Sequence, residues 1–195
     1  RARARDLGIH IEAALDHHFT DLRRSAEGIH LIGEISDRLR ARVMANGELM
    51  ATRIGAAFLQ AEGIDVQWLD ARTLLHAEVR PGATERANYL SATCVFEPDT
   101  AFQQRLASGG NVLITQGFIA SDAHGDTVLL GRGGSDTTAV ALAAALSLPG
   151  HDGKSLPTEA VPLVVGLRPG GAGSTWAMAT RQIMRSEEGL SFAVF

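Results

Sequence analysis

The segment from Asn111 to Leu146 constrains the fold more tightly than any other stretch of the chain. Asn111 to Thr115 is an apolar run too short for a helix and suited to a buried strand. Gln116 to Leu130 then reads as a strand end, an excursion, a turn at His124-Gly125 and a returning strand, so a β-hairpin or flap is expected. Gly131-Arg132-Gly133-Gly134 follows at once, and Ser135 or Asp136 is placed to cap an alanine-rich helix from Thr137 to Leu146. A strand that turns through glycines into a helix start points to a layered α/β fold.

The flanking sequence agrees. Leu7, Ile11, Leu15, Phe19 and Leu22 recur at helical spacing, which predicts an amphipathic helix over the first two dozen residues, ended by Gly28. After the apolar Ile29 to Ile32, Ser36 is the expected cap of a second helix carrying Leu39, Val43 and Met44. Gly47 is expected to interrupt it before a third helix runs to about Gln60 and stops at Gly63. Val66 and Trp68, with Ile64 as an extension, alternate as in a strand, and Ala71 to Leu75 suits one helical turn before Pro81-Gly82. Ala83 to Glu97 fits no single element, although its apolar end suits a strand, and Pro98-Asp99 opens a short helix to about Ala107. Leu148 to Pro157 is rich in Gly, Pro, His and Ser and reads as a linker or join. Beyond it lie an expected strand at Val161 to Val165, a glycine turn at Pro169 to Gly173 and a last strand near Leu190 to Phe195.

Composition narrows the function classes. With 195 residues, of which 45% are apolar, the chain has enough material for a real core. A formal charge of −4 without a long basic block argues against a nucleic-acid partner. No run of eighteen apolar residues exists, so a membrane span is not expected and a cytoplasmic location is. The single cysteine, Cys94, sits in an apolar run and reads as a buried, inert thiol.

The glycine loop is where chemistry is expected. A helix N-terminus presents unpaired N–H groups and partial positive charge, so Gly131 to Asp136 suits an anion. Arg132 within it can grip a carboxylate through two parallel hydrogen bonds, which suits a small acidic substrate. The competing reading is a tight strand-to-helix turn whose arginine faces water. Named motifs fail on single residues. A dinucleotide fingerprint needs glycine where Asp136 stands, and a hydrolase elbow around Ser135 needs glycine where Thr137 stands. Gly153-Lys154-Ser155 mimics the end of a P-loop, but Leu148 occupies the required glycine position. His17 and His18 are adjacent, point to different helix faces and read as solvated, so no metal site is expected.

Gln116-Gly117-Phe118-Ile119, a polar hairpin, and Leu130-Gly131-Arg132-Gly133-Gly134-Ser135-Asp136-Thr137 together closely resemble the aspartate kinase family. Asn46-Gly47-Glu48-Leu49-Met50-Ala51-Thr52, preceded by Gly33-Glu34-Ile35-Ser36, resembles that family's Gly-Glu helix start. The resemblance implies the amino acid kinase fold, a three-layer α/β sandwich with a mainly parallel open sheet between helices, here incomplete. It implies transfer of the γ-phosphoryl of ATP, with Mg2+, to the β-carboxylate of L-aspartate, in the pathway to lysine, threonine and methionine, by a homo-oligomer. Glu48 then matches the glutamate that pairs with the substrate ammonium, and Arg132 the arginine that holds a substrate carboxylate. Phe118 and Ser135 complete the pocket, Asp136 matches an aspartate important for catalysis, and Gly133 and Gly134 face the nucleotide.

The chain departs from the family in two places. The initial Lys-Phe-Gly-Gly-Thr-Ser strand is not found, Lys154 being the only lysine, and neither is the nucleotide-binding Thr-Asp-Val-Asp-Gly strand expected after the Thr137 helix. Ala160 to Val165 resembles the strand near the end of the kinase domain, and Arg185 to Ser191 resembles the entry to an ACT-type regulatory domain. The expected division is therefore a kinase domain over 1–150, a linker or join at 151–158, the end of the kinase domain at 159–182 and a regulatory start at 183–195. The chain reads as joined pieces of a longer polypeptide, as though about 60 residues were removed. The wording Ser121-Asp122-Ala123-His124-Gly125-Asp126 resembles kinases fused to diaminopimelate decarboxylase. The alternatives are a kinase remnant that binds the amino acid without catalysis, or a kinase of another acidic amino acid.

Overall fold

The computed structural model describes residues 7–78, 80–95, 97–102, 112–145, 182–185 and 191–194. Two long helices come first, α1 (Glu12–Ile32) and α2 (Asp37–Ala61). Gly28 does not end α1. The stop is Gly33, whose left-handed φ of 76° lets its N–H donate to the Ile29 carbonyl at 2.8 Å. Ser36 caps α2 as expected, its hydroxyl accepting from the Leu39 N–H at 3.2 Å. Gly47 does not break α2 either, so Glu48 stands in the middle of a 25-residue helix and not at a helix start. A mid-helix glycine costs only about 1 kcal/mol. Burial of Leu15 against Met50, Ile54 and Phe58 along the α1–α2 pair more than offsets that.

Strand β1 (Val66–Trp68) leads into a single 3-10 turn (Ala71–Thr73), and Ile64 stays outside the strand. A short helix α3 (Glu85–Leu90), capped by Thr84, occupies the segment that fitted no single element. Next come β2 (Val112–Thr115), the hairpin strands β3 (Ile119–Ser121) and β4 (Thr127–Leu129), and helix α4 (Gly134–Ala145). Helix α4 starts three residues earlier than the sequence suggests, so Ser135 and Asp136 lie inside its first turn and are not its caps. β5 (Gln182–Arg185) and β6 (Ser191–Val194) complete the described elements. The expected join at 151–158, the strand at Val161 to Val165 and the turn at Pro169 to Gly173 lie outside the described residues.

The main sheet has the order β1-β2-β6-β5. β1 runs parallel to β2, with Val66 opposite Val112, and β2 runs parallel to β6, with Val112 opposite Ser191; only β5 is antiparallel. Alternation along β2 shows the layers. Ile114 packs with Val66 and Ala56 of α2, while Leu113 faces the other way onto Leu142 and Ala145 of α4. The sheet therefore lies between helices, as the amino acid kinase fold requires. Cys94 is buried, and desolvation first, with the Glu78 charge second, pushes its thiol up to about 11, as an inert thiol requires.

Candidate functional site

Helix α2 runs against the sheet in a direction that can be read from its contacts. Ala56 meets Val66 and Ile114, Thr52 meets Trp68 and Gln116, and Ala45 and Leu49 meet Ile119 and Leu129 of the hairpin. The helix thus climbs past the carboxyl ends of β1 and β2, the edge where open α/β sheets bind ligands. Glu48 shares one stripe with Ala41, Ala45 and Thr52, at spacings of three and four residues. It is half-buried, and burial alone pushes its carboxyl above the ordinary value of 4.5. Among the described residues no cation or hydrogen-bond donor reaches it. A half-buried carboxylate without a partner costs free energy unless a ligand supplies the missing positive charge.

Phe118 joins this stripe to the glycine loop. It packs onto the cluster of Ala41, Ala45 and Leu49, and its backbone takes a left-handed φ of 71°, the only positive value at a non-glycine among the described residues. Two hydrogen bonds lock it there. Its N–H donates to Thr138 Oγ1 at 3.1 Å, and its carbonyl accepts from the Leu130 N–H at 2.9 Å. A Cβ at Gly134 would lie 2.7 Å from Phe118 Cδ2 and 3.0 Å from Phe118 Cα, so only glycine permits this approach.

The loop itself is wound by Gly131 and Gly133, with φ of 71° and 73°. The Gly134 N–H donates to the Gly131 carbonyl at 3.1 Å, and the Thr137 N–H to the Gly133 carbonyl at 2.9 Å. No backbone carbonyl of the described residues takes up the N–H groups of Arg132 and Gly133. Arg132 is exposed without a carboxylate partner among the described residues, Ser135 is half-buried, and Asp136 is exposed in the first turn of α4. Glu48, Phe118 and the loop carrying Arg132 therefore meet the same edge of the fold from three different elements.

Two features were not foreseen in the sequence. Gln116, fully buried, donates through Nε2 to Thr52 Oγ1 at 2.8 Å and to the Leu69 carbonyl at 3.1 Å, and its Oε1 accepts from the Ala71 N–H at 2.9 Å. A glutamine directly after a buried strand was the available signal. Asp70 and Arg72 form a bidentate pair at 2.9 and 2.6 Å. Burial pushes the Asp70 carboxyl up, but the Arg72 guanidinium outweighs it and holds the group below the usual range. His18 corrects a further expectation. His17 is solvated, whereas His18 is buried, donating from Nδ1 to Asn46 Oδ1 at 2.7 Å. That direction follows because Asn46 Nδ2 donates to the Arg42 carbonyl. A cleft of about 580 Å3 lined by Asp70, Arg72, His76, Ser121 and Asp122 contains neither Glu48 nor Arg132.

An open, mainly parallel sheet between helices, with a glycine loop entering a helix at its carboxyl edge, defines an open-sheet protein of the α/β class. The sequence model of the amino acid kinase family matches residues 4–148, and the chain belongs to that family. Its relatives include the lysine-sensitive aspartokinase 3 of Escherichia coli (strain K12), 33% identical over 138 residues, a match covering 65% of this chain and 28% of the relative. The bifunctional aspartokinase/homoserine dehydrogenase 2 of the same organism is 36% identical over 113 residues, covering 56% and 13%. Among solved structures, E. coli aspartokinase III in complex with aspartate and ADP superposes with a TM-score of 0.56 at 32% identity, covering 71% of this chain and 29% of that one. The chain thus spans less than a third of the length of these relatives.

Proposed function

We propose that this chain forms the amino-acid-binding part of an aspartate kinase, which moves the γ-phosphoryl of ATP to the β-carboxylate of L-aspartate. The observation that carries the reading is Glu48, a half-buried carboxylate whose only perturbation is burial, on the stripe that packs against Phe118. A substrate ammonium supplies its counter-charge. Arg132, without a carboxylate partner among the described residues, grips the substrate α-carboxylate, and Phe118 and Ser135 wall the pocket. Holding the α-ammonium and the α-carboxylate leaves the β-carboxylate as the free nucleophile. Phosphoryl transfer asks little covalent work of the protein, so positioning and charge neutralisation carry the rate.

The N–H groups of Arg132 and Gly133, with Gly134 keeping the loop close to Phe118, cradle phosphate oxygens, and Asp136 orients the charges around them. Among the described residues no three His, Cys, Asp or Glu side chains are grouped to hold a metal ion. Asp136 is the carboxylate that would face a magnesium ion bound with the nucleotide, and such an ion would supply charge neutralisation. The same reading makes the protein a cytoplasmic homo-oligomer in the biosynthesis of lysine, threonine and methionine, divided near residue 150; a fusion to diaminopimelate decarboxylase rests on the wording Ser121-Asp122-Ala123-His124-Gly125-Asp126 alone. Among the described residues no helix is long and apolar enough to cross a membrane.

A coupled assay of aspartate-dependent ADP formation tests the reading. Arg132→Ala is expected to lower kcat/KM by about 2–4 kcal/mol, roughly 30- to 900-fold, because a charge-assisted bond is lost. Unchanged turnover in that variant contradicts the assignment.

A further inference from the structure

We infer that Thr52 is a positioning residue for the amino-acid site, its hydroxyl setting the axial register of α2 and hence the place of Glu48. The inference rests on the functional reading above but adds a residue that does not itself touch substrate.

Thr52 is only 1% exposed, and its hydroxyl has every bonding site filled. It donates to the Glu48 carbonyl at 2.9 Å, with the Leu49 carbonyl at 3.3 Å as a second acceptor. It accepts from Trp68 Nε1 at 3.0 Å and from Gln116 Nε2 at 2.8 Å. Those two donors stand at the carboxyl ends of β1 and β2, so one oxygen ties α2 to both strands. Gln116 is held in turn by the Ala71 N–H and the Leu69 carbonyl, and the Trp68 ring is covered by the Arg53 guanidinium at 3.7 Å.

The rest of the buried face explains why a hydroxyl is needed. Besides Asn46, which pairs with His18 of α1, it consists of Ala41, Ala45, Leu49, Gly55 and Ala56. Small side chains let a helix approach closely but offer shallow ridges, so they resist sliding along the axis weakly. Directional hydrogen bonds at Thr52 supply the missing register. Glu48 lies one helical turn from this anchor, and sliding α2 against the strand ends moves its carboxylate relative to Phe118 and the glycine loop.

The test is titration calorimetry of L-aspartate into the full chain, with thermal melting measured alongside. Thr52→Val keeps the shape and removes the hydroxyl; it is expected to weaken aspartate binding by about tenfold in the folded fraction, whereas Thr52→Ser, which restores the oxygen, stays within about twofold of wild type. Trp68→Phe deletes a single donor to the hub and is expected to weaken binding about three-fold, so the inference stays testable if Thr52→Val fails to fold. A hydroxyl with a purely structural role lowers the melting temperature and leaves aspartate affinity untouched; that result overturns the inference. So does a Thr52→Ser or Trp68→Phe pattern that departs from this order. Wild-type protein that binds no aspartate refutes the functional reading itself, a result distinct from either.

Discussion

Glu48 carries the tension of the site. Its folded-state pKa is raised by burial, so the fold binds a proton there more readily than the unfolded chain does. Its contribution to stability is therefore fully present below the unfolded value near 4.5 and is lost as pH rises through the folded value. At neutral pH the buried charge is a net cost to the free protein. Glu48→Gln is expected to raise the melting temperature at pH 7, with the gain disappearing below pH 4.5, while aspartate binding weakens. Melting curves at pH 7 and pH 4 check this, and a variant less stable than wild type at pH 7 contradicts it. The residue types of the proposed site could be named from the sequence, since Arg132, Phe118 and Glu48 stand in motifs that resemble the family's. Their environments were not. Nothing in the spacing shows that Thr52 binds Trp68 and Gln116, because those contacts span 16 and 64 positions.

The hairpin and its glycine loop show how much an element can reveal in advance. The His124-Gly125 turn, the returning strand and the helix after the loop were all readable, because turn chemistry is local. Gly28 and Gly47 misled for the same reason. A glycine ends a helix only where the chain adopts the left-handed conformation and a carbonyl accepts its N–H, as at Gly33, and neither Gly28 nor Gly47 has positive φ. The loop glycines have separable roles. Gly134→Ala is expected to cost about 1–3 kcal/mol, because its Cβ meets the Phe118 ring and backbone. Gly133→Ala places its Cβ at an ordinary 4.0 Å from Asp136 Oδ2 and bears only the left-handed strain, about 1 kcal/mol. Denaturant midpoints measure both; aspartate affinity should fall with Gly134→Ala, since Phe118 must move. Equal affinities in the two variants contradict the role given to that contact.

At the scale of the whole molecule, the layered α/β class was readable from alternating helices and short apolar runs, but the strand order was not. β6 lies beside β2 although 75 residues separate Thr115 from Ser191, and no periodic pattern encodes a pairing at that distance. The result is one carboxyl edge at which α2, the β2–β3 connection and the start of α4 converge. The central claim is that Glu48 takes the α-ammonium and Arg132 the α-carboxylate of one amino acid there. The most direct measurement is calorimetric binding of L-aspartate and of succinate, which lacks only the ammonium, to wild type, Glu48→Gln and Arg132→Ala. Glu48→Gln is expected to weaken aspartate by about 2–3 kcal/mol and to leave succinate no weaker, whereas Arg132→Ala weakens both. Equal losses for the two ligands in Glu48→Gln would contradict the account.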